Sequence, residues 1–183
     1  MPQGKAWDNF FNNIDNKTDL VKLALEFFKS LEGRSLLKIP LIFTCQTACY
    51  RLTKDDVNTL PYMNHEEADS KIICRVCATD TPVLVVSKDT DVFILLVYAM
   101  HTTTPKFDWI LQTDKQEFIN IKEVLQYIGH DVANVFLQFH AITGCDTSSF
   151  KYRRGKRATM KKLLQDTSIC KYLQKLGSGE YII

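Results

Sequence analysis

The feature that most constrains the fold of this chain is residues 82–91, PVLVVSKDTD, a short apolar run that ends in two carboxylates two positions apart. Residues 82–86 are apolar enough for a buried strand, and Ser87-Lys88-Asp89-Thr90-Asp91 closes it. Open α/β sheets bind ligands beyond the carboxyl ends of their strands, so acids at this point are site candidates. Two further acidic positions flank the strand at a distance. Glu66-Glu67-Ala68-Asp69 opens a helical segment upstream, and Gly144-Cys145-Asp146 lies downstream, just before a strongly basic stretch.

A length of 183 residues, 45% of them hydrophobic, is consistent with one domain that buries a substantial core. No segment reads as a membrane span: the most apolar run, residues 92–100, is too short to cross a bilayer as a helix. The N-terminal MPQGKAWDNF lacks the apolar core of a secretory signal, so the expected compartment is nucleus or cytoplasm, without secretion. In that setting the six cysteines read as reduced thiols. Cys74 and Cys77 form a CxxC, and Cys45 and Cys49 a second pair, yet neither has a clean partner spacing for zinc. The net charge of +2 averages over unlike regions. Between Asp146 and Asp166 there is no acid, while Lys151, Arg153, Arg154, Lys156, Arg157, Lys161 and Lys162 supply a run of positive charge suited to a polyanion.

Taken in order, Leu20, Leu23, Leu25, Phe27, Phe28 and Leu31 follow one helical face, with Thr18 or Asp19 as the expected cap and Gly33 as the stop. Residues 40–44 read as the first strand and 49–52 as a second extended piece. Residues 66–78 read as a helix whose apolar stripe is Ala68, Ile72, Ile73, Val76 and Cys77. Residues 92–100 are too uniformly apolar for periodicity to choose between strand and helix. Strands are expected at 107–112 and 118–121, then a helix from Ile121 or Lys122. Gly129 is expected to separate that helix from another at 132–142. Residues 144–149 read as a loop, 156–165 as a helix, and 169–176 as one or two last helical turns. Alternating strands and helices point to a mostly parallel sheet covered by helices.

Several oxygen ligands converging on one or two divalent ions are what metal-assisted phosphodiester cleavage requires, and Mg²⁺ favours carboxylates, waters and phosphates. Glu67, Asp69, Asp89, Asp91 and Asp146 are the residues able to supply such a cluster. Each group alone has a bland explanation, since acids favour helix N-termini and Asp-x-Asp is common in loops. The absence of a Gly-rich phosphate loop argues against a nucleoside triphosphatase. The histidines form no alternative set: His140 falls in an apparent core helix, His101 in a turn, His130 after a glycine, and His65 beside Glu66.

The order Glu67-Ala68-Asp69, Ser87-Lys88-Asp89-Thr90-Asp91, Gly144-Cys145-Asp146, Gly155-Lys156-Arg157-Ala158 resembles the PIN-like domain of flap-endonuclease and XPG-type nucleases, in particular a little-characterised animal branch. The likeness covers about 64–164. It implies an α/β fold, a PIN-like three-layer αβα sandwich with a mostly parallel central sheet, and a helix-two-turn-helix-like basic segment at 144–176. It implies Glu67, Asp69, Asp89, Asp91 and Asp146 as catalytic ligands of Mg²⁺ or Mn²⁺. It also implies Lys151, Arg153, Arg154, Gly155, Lys156, Arg157, Lys161 and Lys162 as contacts to nucleic-acid phosphates. The chain departs from the family's pattern upstream. Strand 40–44 runs into Cys45-Gln46 where the family has an acid, so 1–183 is expected to be a single PIN-like domain lacking its first strand.

Three functions follow as expectations. The first is a metal-dependent, structure-specific nuclease acting on DNA or RNA. The second is a catalytically inactive PIN-like domain that binds nucleic acid, motivated by the missing upstream acid. The third is a protein-interaction scaffold.

Overall fold

The computed structural model describes residues 10–46, 48–61, 67–144 and 156–176. They form a mixed α/β fold divided into two compact units, Met1–Glu66 and Glu67–Ile183, each with a three-stranded sheet and a core of its own. No helix among the described residues is long and apolar enough to cross a membrane.

In the first unit, helix α1 (Ile14–Lys29) and the short α2 (Leu31–Ser35) precede an antiparallel meander of β1 (Leu41–Cys45), β2 (Ala48–Leu52) and β3 (Val57–Leu60). The expected cap at Thr18 or Asp19 is displaced by Asn13, whose side chain accepts from the Asp15 amide at 2.8 Å. Gly33 does not stop the helix. Ser30 does: its extended backbone (φ −67°, ψ 159°) ends α1, and its hydroxyl caps α2 by accepting from the Gly33 amide at 3.0 Å. A Cβ at residue 33 would clash with the Phe27 carbonyl oxygen, so the glycine permits close backbone approach. Leu25, Cys45 and Leu52 make the small core, with Phe28 and Phe43 packed around it. β3 has no counterpart in the expected strands, because VNTL carries little apolar signal.

The second unit begins with α3 (Ala68–Cys77), which turns Ile72, Ile73 and Val76 to the core and leaves Ala68 and Cys77 exposed. β4 (Val83–Val86) follows, and then α4 (Thr90–Thr103). The ambiguous apolar run is therefore helical. Its Val92, Ile94, Leu96, Val97, Ala99 and Met100 are all buried, as a helix apolar on every side must be. α4 crosses over to β5 (Trp109–Gln112), which pairs with β4 in parallel. β6 (Phe118–Asn120) then returns antiparallel to β5, because the intervening residues form a tight turn in which Thr113 N–H donates to the Glu117 carbonyl and Gln116 N–H to that of Thr113. Such a short connection permits only a hairpin. Among the described strands β4–β5 is thus the one parallel pair, which departs from a mostly parallel sheet.

One face of this sheet, bearing Val85, Trp109 and Leu111, is buried in the core, whereas Leu84, Val86 and Phe118 on the other are 54%, 69% and 65% exposed. Helix α5 (Ile121–Asn134) runs through Gly129, which kinks it at φ 75°, ψ 167°, and α6 (Phe136–Thr143) starts after Val135. Gly129 separates two helical stretches as expected, its non-helical backbone interrupting α5, and a further break follows at Val135. α7 (Lys156–Gln165), a 3₁₀ turn (Thr167–Ile169) and α8 (Cys170–Leu173) complete the unit, adding Leu163, Cys170 and Leu173 to the core.

The φ/ψ pair of Gly129 is accessible to glycine alone, and nothing lies within 4 Å of the Cβ that alanine would add there. Gly129→Ala should therefore cost about 1–3 kcal/mol through backbone strain without a clash, read as a lower urea midpoint at unchanged slope. A second expectation concerns His101, in the last turn of α4, whose ring meets that of His130 on α5 edge-on at 4.6 Å between centroids. Burial first, and the charge of His130 second, push His101 below its ordinary value near 6.5. The folded state then binds fewer protons than the unfolded one, so stability rises with pH and declines as pH falls from about 6.5 through the lower folded value. His101→Gln should flatten that part of the curve of urea midpoint against pH; an unchanged curve would refute the assignment.

Candidate functional site

The Asp-x-Asp segment sits at the carboxyl end of β4, where the strand turns into α4. Its first half is a pair of nested turns. Asp89 N–H donates to Ser87 Oγ at 3.1 Å, and Asp91 N–H donates to Asp89 Oδ1 at 2.9 Å. Asp89 is thereby the N-cap of α4, with extended φ −81°, ψ 128°, and its carboxylate is used on the first turn of the helix.

Asp91, two residues further on and in the first turn of α4, directs its carboxylate to α6. Its Oδ1 is 2.8 Å from His140 Nε2 on α6, with the carboxylate side chain 35% exposed and the imidazole 11%. The other ring nitrogen, His140 Nδ1, is 3.1 Å from Lys156 Nζ, which also donates to the Gly144 carbonyl at 2.8 Å. The inventory of donors orders this chain. A lysine ammonium has no acceptor, so Nδ1 accepts, and Nε2 carries the proton that goes to the Asp91 carboxylate. Three side chains from α4, α6 and α7 thus meet in one line of hydrogen bonds.

Glu67 is the N-cap residue of α3 but makes no capping hydrogen bond with its side chain, and Asp69 lies half-buried in the first turn. Asp146, Lys151, Arg153, Arg154 and Gly155 lie outside the described residues. Among the described residues, no group of three His, Cys, Asp or Glu side chains is placed to hold a metal ion. That overturns the expectation of a metal-dependent nuclease with Glu67, Asp69, Asp89, Asp91 and Asp146 around Mg²⁺ or Mn²⁺. The physical reason lies in the two central acids: Asp89 is a helix cap, and Asp91 already accepts a hydrogen bond from His140, whose ring is in turn held by Lys156.

α7 divides its side chains cleanly. Lys156, Thr159, Met160, Leu163 and Leu164 are buried or half-buried, the i, i+3, i+4, i+7, i+8 pattern of a packed face, and Arg157, Lys161 and Lys162 are exposed. Lys156, expected on the phosphate side, turns inward instead. The three exposed cations make no ion pair among the described residues. Asp166, the first acid beyond the basic stretch, caps the 3₁₀ turn, and hydrogen bonds from Ser168 hold its carboxyl below the ordinary range.

His140 is the residue that reading the sequence underrated. It stands within FLQFHAIT, an apolar helix whose pattern reads as core. A buried imidazole must satisfy two nitrogens, so a histidine inside an apolar helix is itself a signal for polar partners elsewhere in the chain. Cys45, Cys77 and Cys170 are free thiols. No protein-family model, curated protein or solved structure matches the chain.

The capping role of Asp89 is open to direct measurement. Asp89→Ala should lower stability by about 1 kcal/mol, and Asp89→Asn, which keeps an acceptor for the Asp91 amide, by only a few tenths. Equal losses in urea denaturation would show that charge rather than capping matters at this position.

Proposed function

We propose that this chain is a PIN-like domain that binds nucleic acid, DNA foremost, through backbone phosphates and without metal-dependent cleavage. The observation that carries this reading is the outward face of α7, where Arg157, Lys161 and Lys162 stand exposed in a stretch of chain that contains no acid from 147 to 165. Cations so grouped attract a polyanion and release its counterions, a sequence-independent interaction. The PIN-like part of the reading draws support from the order of its motifs and from the right place of one of them. Asp89 and Asp91 follow β4 within a β4-α4-β5 crossover unit whose strands are parallel. The non-catalytic part draws support from the occupation of Asp89 and Asp91 by structural partners. A DNA ligand would make the nucleus its compartment.

A scaffold that binds protein is the second reading, favoured by the sheet face on which Leu84, Val86 and Phe118 are exposed. Exposed apolar side chains clustered on one face mark interaction surfaces.

The test is fluorescence anisotropy with labelled duplex, flap and single-stranded DNA across a salt series, together with a cleavage assay in Mg²⁺ and in Mn²⁺. Binding should weaken steeply with salt. Replacing Arg157, Lys161 and Lys162 together by alanine should reduce the slope of log K against log salt by about 0.9 per lost contact, roughly 2.7 in all. No metal-dependent product should appear. Absence of binding at low salt would overturn the nucleic-acid reading in favour of the scaffold, and cleavage that disappears in Asp89→Asn would overturn its non-catalytic half.

A further inference from the structure

Helix α7 has a charged residue in the middle of its apolar stripe. At 100° per residue, Lys156 projects within about 20° of Leu163 and about 40° of Met160, the side chains that seat the helix on the core. An apolar residue is what the pattern asks for at that position. An ammonium there is tolerable only if it is received, and the receivers are specific: the Gly144 carbonyl at 2.8 Å and His140 Nδ1 at 3.1 Å, with His140 in turn fixed by Asp91 at 2.8 Å. From α5, the other helix packed on α6, no hydrogen bond or ion pair reaches the ring among the described residues.

We propose that Asp91, His140 and the Gly144 carbonyl form a receptor for Lys156 that seats the first turn of α7 and sets its rotation about its own axis, so that His140 and Asp91 are positioning residues for the basic face. The rotation matters because Arg157 and Lys161 lie about 40° apart on the helix surface. With Lys156 held inward, both project outward together and present adjacent charges to one run of phosphates. Released, the N-terminal turn keeps Met160 and Leu163 as anchors but loses the anchor nearest Arg157. Neither His140 nor Asp91 touches the ligand in this arrangement, and Lys156 contributes no phosphate contact. The binding half of this inference rests on the nucleic-acid reading, and the exchange half does not.

Two measurements on the full chain separate it from a plain packing role for His140. The first is hydrogen exchange at the amides of residues 160–163, whose helical acceptors are the carbonyls of 156–159. His140→Phe leaves the half-buried ammonium without its ring partner and should speed exchange there by about tenfold or more. Adding Lys156→Met removes the stranded charge and should restore most of the protection. A packing role predicts instead that the second substitution adds to the first, and that outcome, or unchanged exchange in His140→Phe, overturns the receptor. His140→Gln, which cannot bridge both partners, takes its place if the Phe variant does not fold. The second measurement is the salt dependence of duplex binding. His140→Phe should lower affinity about threefold to tenfold with the slope unchanged, and Lys156→Met should also leave the slope unchanged. A slope reduced by about 0.9 in Lys156→Met would make Lys156 a phosphate contact and overturn the inference. If the parent chain binds no nucleic acid, the function proposed above fails and the exchange experiment still decides the receptor.

Discussion

The burial of α4 on every side is the constraint on which the second unit depends. Val92, Leu96 and Val97 are fully buried and Ile94 and Met100 nearly so, so the helix has no wet face along its middle. Its neighbours follow from that requirement. The inner face of the sheet, α3, α5 and α6 each supply the apolar surface that such a helix needs, and the residues they turn inward, from Val76 and Val85 through Trp109 and Ile121 to Val132 and Phe139, form one continuous cluster. At about 1.5–3 kcal/mol for each fully buried large aliphatic side chain, the six buried residues of α4 outweigh any single polar interaction in the unit. The polar chemistry is found at the two ends of α4: Asp89 and Asp91 at the start, His101 near the end.

This explains why two carboxylates spaced like metal ligands do other work. At the N-terminus of a helix the first amides lack partners and the dipole favours negative charge. An acid at the N-cap and another in the first turn are stabilised there without any metal. Asp89 satisfies the Asp91 amide, and Asp91, its amide so engaged, is free to direct its carboxylate across to α6. The Asp-x-Asp spacing is therefore compatible with a structural device as well as a catalytic one, and the choice lies with residues far away in sequence. Here those residues are His140 and Lys156, 49 and 65 positions beyond Asp91. No reading of the motif alone contains them.

How much was legible in the sequence follows the same division. The strand at 83–86, the helix after 67, the strand at 109–112 and the helix at 156–165 are strongly patterned segments, and the structure has them with boundaries within a residue or two. The run at 92–100 was undecidable by period, because a helix buried all round and a buried strand have the same composition; the cap at Asp89 and the 14-residue length are what distinguish it. Errors gather where local chemistry has several candidates. Asn13 competes with Thr18 and Asp19 for one cap, and Gly33 resembles a helix stop while Ser30 performs that role. Of the five carboxylates expected to act together, Asp89 caps α4 and Asp91 pairs with His140. Convergence of side chains is a property of the fold, and among the described residues no three His, Cys, Asp or Glu side chains converge on a metal position.

The basic stretch illustrates the opposite case, in which position along the helix matters more than composition. Lys156, Arg157, Lys161 and Lys162 are alike in sequence terms, four cations in seven residues. Helical geometry makes them unlike: three lie on the exposed side and one on the side that packs. A charge on the packed side of a short helix costs more than the helix can recover from propensity, so its presence requires a prepared acceptor. The Gly144 carbonyl and the His140 ring are that acceptor, and Asp91 supplies the negative charge at the far end of the line. The acid at the end of β4 and the cation at the start of α7 are thus two ends of one interaction. It links the segment that carries the Asp-x-Asp motif to the segment that carries the exposed cations Arg157, Lys161 and Lys162, across 65 positions of sequence.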